Sequence, residues 1–188
     1  MYPHHLHTQS DSRFFPEGVA RIPHQGKQRI EVIFLKEEIT HDIDAGIHLL
    51  EKGRDADSQP ILDKDGKDDY LMARYIDTAI NQAVARCRAY LLCPSPYVHR
   101  ISTNHVGGWE EKSIYLAFPM NWPPHCIDPL RDAIHNYVVE RAQQLFLAKV
   151  DAKLSEVCDI QATQYYNEIN ALLNTRLGGV HIQPTFLG

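Results

Sequence analysis

The chain lacks most of the short patterns that announce a chemistry. It has four cysteines, at 87, 93, 126 and 158, and no pair has C-x-x-C spacing, so a zinc ribbon or a thioredoxin-type motif is excluded. Gly107-Gly108 is not framed as G-x-x-x-x-G-K, which leaves no phosphate loop, and no G-x-S-x-G elbow positions a serine nucleophile. The segment DKDGKDD fails as a calcium loop: with Gly66 at position 6, positions 1 and 12 are Ile61 and Met72, which supply no side-chain oxygen. No apolar run approaches the roughly 18 residues of a membrane span. The opening MYPHHLHTQS has neither a basic n-region nor an apolar h-region, so no signal peptide is visible. Neither a 20–50-residue repeat nor a low-complexity tract is visible.

What remains is an ordinary globular composition. Of 188 residues, 44% are hydrophobic and 23% charged, enough to bury a core without disulfides. Free thiols and a reducing cytosol follow. The net charge of -5 weighs against a duplex-DNA binder, whose phosphate contacts require a basic footprint. Arg86, Arg88, His99, Arg100 and His105 could touch phosphates, but no recognition element accompanies them. The charge is unevenly placed. Residues 30–69 hold 12 acidic and five basic side chains, whereas residues 70–100 hold four arginines against Asp77 alone. Such neighbours suit either a solvated surface or attraction between copies.

Residues 1–29, with three prolines, four histidines and no periodicity, read as an extended arm whose Phe14-Phe15 pair can anchor it. The run IEVIFL at 30–35 fits a short strand or the lead-in to a helix. Ile39, Ile43, Ile47 and Leu50 mark one face of a helix over 37–52, ended by Gly53. A loop at 53–67 follows. Asp68-Asp69 opens a second helix, whose apolar residues from Met72 to Leu91 fall within an arc of about 140°. Pro94 and Pro96 stop it. Strand-like segments at 98–102 and 113–118, joined through Gly107-Gly108, predict a β-hairpin at about 97–118 with Trp109 at its tip. A long helix is expected from Asp128 to Val157. Its main face carries Leu130, Ile134, Tyr137 and Val138, and a second stripe carries Val139, Phe146 and Val150. A helix apolar on two sides is central in its fold or buried in an oligomer. Arg141 falls within the main apolar arc and needs a polar partner, so it is read as a structural ion pair tying two helices. The last helix is placed at 160–177 with Asp159 as its N-cap.

The best enzymatic alternative is a di-metal helical bundle, which uses Glu-x-x-His motifs from facing helices. Glu38 and His41 have that spacing, and Asp132 and His135 approximate it. No coherent catalytic set supports this beyond spacing, and no cofactor is expected.

Two stretches carry a family likeness. DDYLMARYIDTAINQAVARCRAYL, with Asp69, Leu71, Ile76 and Tyr90, is one. The other is RDAIHNYVVERAQQLFLAKV followed by YYNEINALLNTRL, with Tyr137, Glu140, Arg141, Leu172, Leu173 and Arg176. Together they cover about a third of the chain and resemble the long helices of phage head–tail connector (adaptor) proteins. The resemblance implies a non-enzymatic ring component, homo-oligomeric, set between portal and tail proteins, in a bacterial cytoplasm or a virion. The fold expected is mainly α: a bundle of three to four helices over residues 30–188, with an inserted β-hairpin and an N-terminal arm. Phe14, Phe15, Trp109, Val139, Phe146 and Val150 are the expected interface residues.

Overall fold

In a computed structural model of the chain, the residues described are 27–52, 61, 67–92, 98–100 and 110–177, without the side chains of 67–69 and 98–100. The arm up to residue 26, including Phe14 and Phe15, lies outside this set, as do Trp109, Cys93 and the tail from residue 178.

The fold is mainly α, with four helices and a small antiparallel sheet among the described residues. Strand β1 (Lys27–Leu35) runs straight into α1 (Lys36–Lys52). Helix α2 (Lys67–Arg86) leads through a single 3-10 turn at Arg88–Tyr90 to β2 (Val98–Arg100) and β3 (Glu111–Pro119). Helices α3 (Ile127–Leu147) and α4 (Ala152–Asn174) complete the order. The hairpin β2–β3 is present, and its connection lies outside the described residues. The sheet order is β1-β3-β2, so the hairpin does not stand alone: β1 pairs along the whole of β3, from Lys27 opposite Pro119 to Leu35 opposite Glu111. Residues 27–29, assigned to the arm on sequence grounds, therefore open a strand.

Side chains alternate across a strand. Ile30, Val32 and Phe34 of β1 meet Ile114, Leu116 and Phe118 of β3 on the inner face, and all six are buried against the helices. Lys112 shares that inner face and is buried with its ammonium 2.6 Å from Asp77 of α2. Ile39, Ile43 and Ile47 of α1 are fully buried, as the 4-residue spacing predicts.

The long helix expected over 128–157 is two helices. Val150 and Asp151 donate their N–H groups back to Leu147 O, closing α3. Asp151 then takes an extended conformation, and its carboxylate accepts from the N–H groups of Lys153 and Leu154 at 3.1 and 3.2 Å. Asp151, not Asp159, is the N-cap of the last helix. That turn leaves Val150 49% exposed, outside the apolar stripe to which its spacing assigned it.

Helix α3 is the axis of the bundle. His135 and Gln143 touch α1, Tyr137 and Arg141 touch α2, and Arg141 and Gln143 also reach α4. Both of its apolar stripes are consumed inside the chain. Val139 and Phe146, expected at an interface with another copy, are buried on the side that faces α1.

Near the end of α4 the packing centres on Trp122, which is fully buried. Its ring stacks on Phe118 at 4.1 Å, Phe118 stacks on Tyr90 at 4.9 Å, and its indole N–H donates to Leu172 O at 2.9 Å. Arg176 donates to Leu173 O, Thr175 O and the Tyr90 hydroxyl. The carbonyls exposed at a helix C-terminus are thereby satisfied by a cation.

Candidate functional site

Three arrangements of polar or exposed side chains stand out: two seams between helices, and the outer face of the sheet.

The first seam joins α1 to α3. His135 Nε2 lies 2.8 Å from Asp42 Oδ2, and His41 Nδ1 lies 3.4 Å from Asp42 Oδ1. The His135 contact is the main reason that the Asp42 carboxyl is held below its ordinary value, against a smaller opposing effect of burial. The helices carrying Glu38, His41, Asp132 and His135 do face each other. Yet Glu38, His41 and Asp132 are exposed, and His135 meets Asp42, which is outside the Glu-x-x-His spacing. Among the described residues, no group of three or more His, Cys, Asp or Glu is placed to hold a metal ion. Two helical turns further along α3, Gln143 is buried and donates to Ile43 O at 3.2 Å, and Cys158 Sγ lies 3.6 Å from its Oε1. Gly46 makes room for it, since a Cβ there would overlap the Gln143 amide. This seam fastens three helices together.

The second seam holds α2 and α4 over α3. The Arg141 guanidinium donates to Gln82 Oε1 and to Asp159 Oδ1, both at 2.9 Å. Tyr137 donates to the same Gln82 oxygen at 3.3 Å, and burial raises its phenol above the ordinary value. Arg86 lies 4.3 Å over the Tyr166 ring and donates to Asn170 Oδ1. Asp159 thus serves as the partner of Arg141 in mid-helix. Both arginines are committed to protein groups, Arg141 half-buried and Arg86 exposed.

The thiols are placed for packing. Cys87, Cys126 and Cys158 are free and buried. Burial pushes Cys87 and Cys158 up to about 12, with the Glu140 carboxylate adding to the effect at Cys158. Neither forms the thiolate that nucleophilic chemistry needs near neutral pH. Burial also raises the Glu140 carboxyl.

The third arrangement is different in kind. On the outer face of the sheet, Ile33 is 49%, Leu35 42% and Tyr115 39% exposed. Ile33 and Leu35 are successive outward residues of β1, and Tyr115 pairs with Glu31, diagonally beside Ile33. They form one apolar ridge, with Arg29, Glu31 and Glu111 at its margins. The open edge of β1 is partly closed by Arg131, whose Nε donates to Glu31 O at 3.0 Å. Blocking an edge while leaving the face bare protects against indiscriminate strand pairing but keeps an apolar contact surface. Smaller exposed groups occur at Val157 and Ile160 on α4, and at Met120 and Leu177 where Leu177 N donates to Asn121 O.

No protein-family model matches the chain, and no curated protein or solved structure matches it either. No helix among the described residues is long and apolar enough to cross a membrane.

Proposed function

We propose that this chain is a non-enzymatic structural or assembly protein, of the phage head–tail connector kind, which associates with copies of itself and with portal and tail proteins. The observation that carries this reading is the ridge of Ile33, Leu35 and Tyr115 on the outer face of the sheet. The same two strands bury six large apolar side chains on their inner face. The ridge therefore exists beyond what the fold consumes, and contiguous apolar surface of that sort favours a macromolecular contact. The helical seams support the reading from the other side: their charged and polar groups are satisfied by one another and brace the bundle. Two of the positions that resemble connector helices, Tyr90 and Arg176, meet in the brace at the end of α4.

The test is the double substitution Ile33→Ser and Leu35→Ser. The reading predicts unchanged far-UV circular dichroism and a clear loss of association in sedimentation velocity. A variant that associates as strongly as the parent chain would overturn the role of the ridge.

A further inference from the structure

The sequence beyond α4 has a pattern of its own. Val180, Ile182, Pro184 and Phe186 alternate strictly with His181, Gln183 and Thr185, and Leu187 follows. Such alternation belongs to an extended segment with one apolar side. From residue 177 to 188 the chain carries no Asp, Glu, Lys or Arg, so what it offers a neighbour is apolar surface. Pro184 has no N–H to give to a strand ladder, which favours lying across a face over pairing along an edge.

A surface of the matching kind lies close to where this segment begins. Leu177 N donates to Asn121 O, and Asn121 stands two residues beyond Pro119, the last residue of β3. The segment therefore leaves from the end of the sheet at which Lys27 pairs with Pro119. Exposed apolar side chains continue from that end: Leu177 and Met120 first, then Tyr115, Ile33 and Leu35 on the outer face.

The lengths agree. Ile33 is opposite Ser113 and Leu35 is opposite Glu111, six and eight residues along β3 from Pro119. At about 3.3 Å per residue these positions are roughly 20 and 26 Å from the Pro119 end, and residues 178–187 fully extended span roughly 33 Å. Gly178 and Gly179, directly after Leu177, have the backbone freedom that a reversal onto the outer face needs. Residues 1–26 join the sheet at the same end, through Lys27, but their apolar residues do not alternate.

We infer that residues 180–187 lie across the outer face of the sheet of their own chain, with Val180, Ile182, Phe186 and Leu187 against Tyr115, Ile33 and Leu35. The consequence rests on the assembly reading above: a copy must lift this segment before its ridge can meet a partner. The apparent affinity between copies is then reduced by the fraction of chains in which the ridge is uncovered.

The test uses the full-length chain and the double substitution Ile182→Ser with Phe186→Ser. Hydroxyl-radical footprinting, read by mass spectrometry at a dilution where mass photometry finds single copies alone, reports the exposure of native side chains. Oxidation of Ile33, Leu35 and Tyr115 should rise severalfold over the parent, while Val157 and Ile160, exposed on α4, keep the parent rate. The concentration at which copies associate should fall by the same factor. Equal oxidation of the ridge in parent and variant overturns the docking and leaves the assembly reading standing. A rise in Phe14→Ser with Phe15→Ser, and none in the first variant, gives the face to the N-terminal arm and overturns it as well. A ridge that is uncovered in the first variant, in a chain that stays single at every concentration, upholds the docking and overturns the assembly reading.

Discussion

Ile30, Val32 and Phe34 share a strand with Ile33 and Leu35, and nothing in residue type separates the two groups. The first three are buried against the helices and the last two are exposed by more than 40%. Position in the pleat decides which apolar side chains hold the fold and which stay exposed. The same contrast runs through the molecule. Helix α3 is apolar on two sides and packs on α1, α2 and α4, so of the two positions its composition allows, central in the fold or buried in an oligomer, the central one is observed. Exposed apolar side chains lie instead on the outer face of the sheet, at Ile33, Leu35 and Tyr115.

The contrast can be broken most severely from inside. Phe34→Ala removes a fully buried ring, and a loss of about 3–5 kcal/mol is expected, seen as a fall of roughly 10 °C or more in melting temperature. A loss below about 1 kcal/mol would show that the inner face is not the core described here.

Gly46→Ala probes the α1–α3 seam. Alanine gains about 1 kcal/mol of helix propensity, but its Cβ expels the Gln143 amide from Ile43 O and from Cys158. Two buried groups lose partners, so a net destabilisation of about 1–3 kcal/mol is expected by chemical denaturation. Stabilisation would mean that Gln143 finds other partners at no cost.

A smaller effect is expected from Asp42→Asn, and it depends on pH. The folded carboxyl lies below its ordinary value, so its contribution is present above that ordinary value and is lost as pH falls through the folded one. Asp42 is well exposed to solvent, which limits the contribution to less than about 1 kcal/mol. The stability gap between the parent and Asp42→Asn should be visible near pH 6 and close towards pH 3. A gap that widens on acidification would reverse the assignment. Smallest of all, Ile33→Ser and Leu35→Ser should each change the stability of the isolated chain by no more than about 0.5 kcal/mol. A larger loss would place them in the core.

Local periodicity made much of this legible. The Ile39, Ile43 and Ile47 face, the α2 face and the hairpin follow from spacing alone, and four helices were within the expected range. The break at 148–151 was hidden because small and apolar residues continue across it, and because Asp151 as a cap looks like any surface aspartate until its neighbours' N–H groups point at it. The apolar setting of Arg141 predicts a polar partner, but Asp159 reads locally as a helix start and Gln82 is distant in sequence. The seams depend on such distant pairs: Asp42 and His135 are 93 positions apart, and Gln143 is 100 from Ile43. No local window relates them. The ridge did leave a trace. The run IEVIFL resisted assignment because it lacks the alternation of a half-buried strand, and that missing alternation is the exposed apolar face itself.

The proposed assembly requires the outward-facing ridge of the sheet to meet other copies of the chain. Light scattering on the full chain across a dilution series, coupled to size exclusion, measures this directly. The prediction is a particle mass that is a multiple of 21.5 kDa and declines on dilution. A constant 21.5 kDa from the most concentrated to the most dilute sample would contradict it.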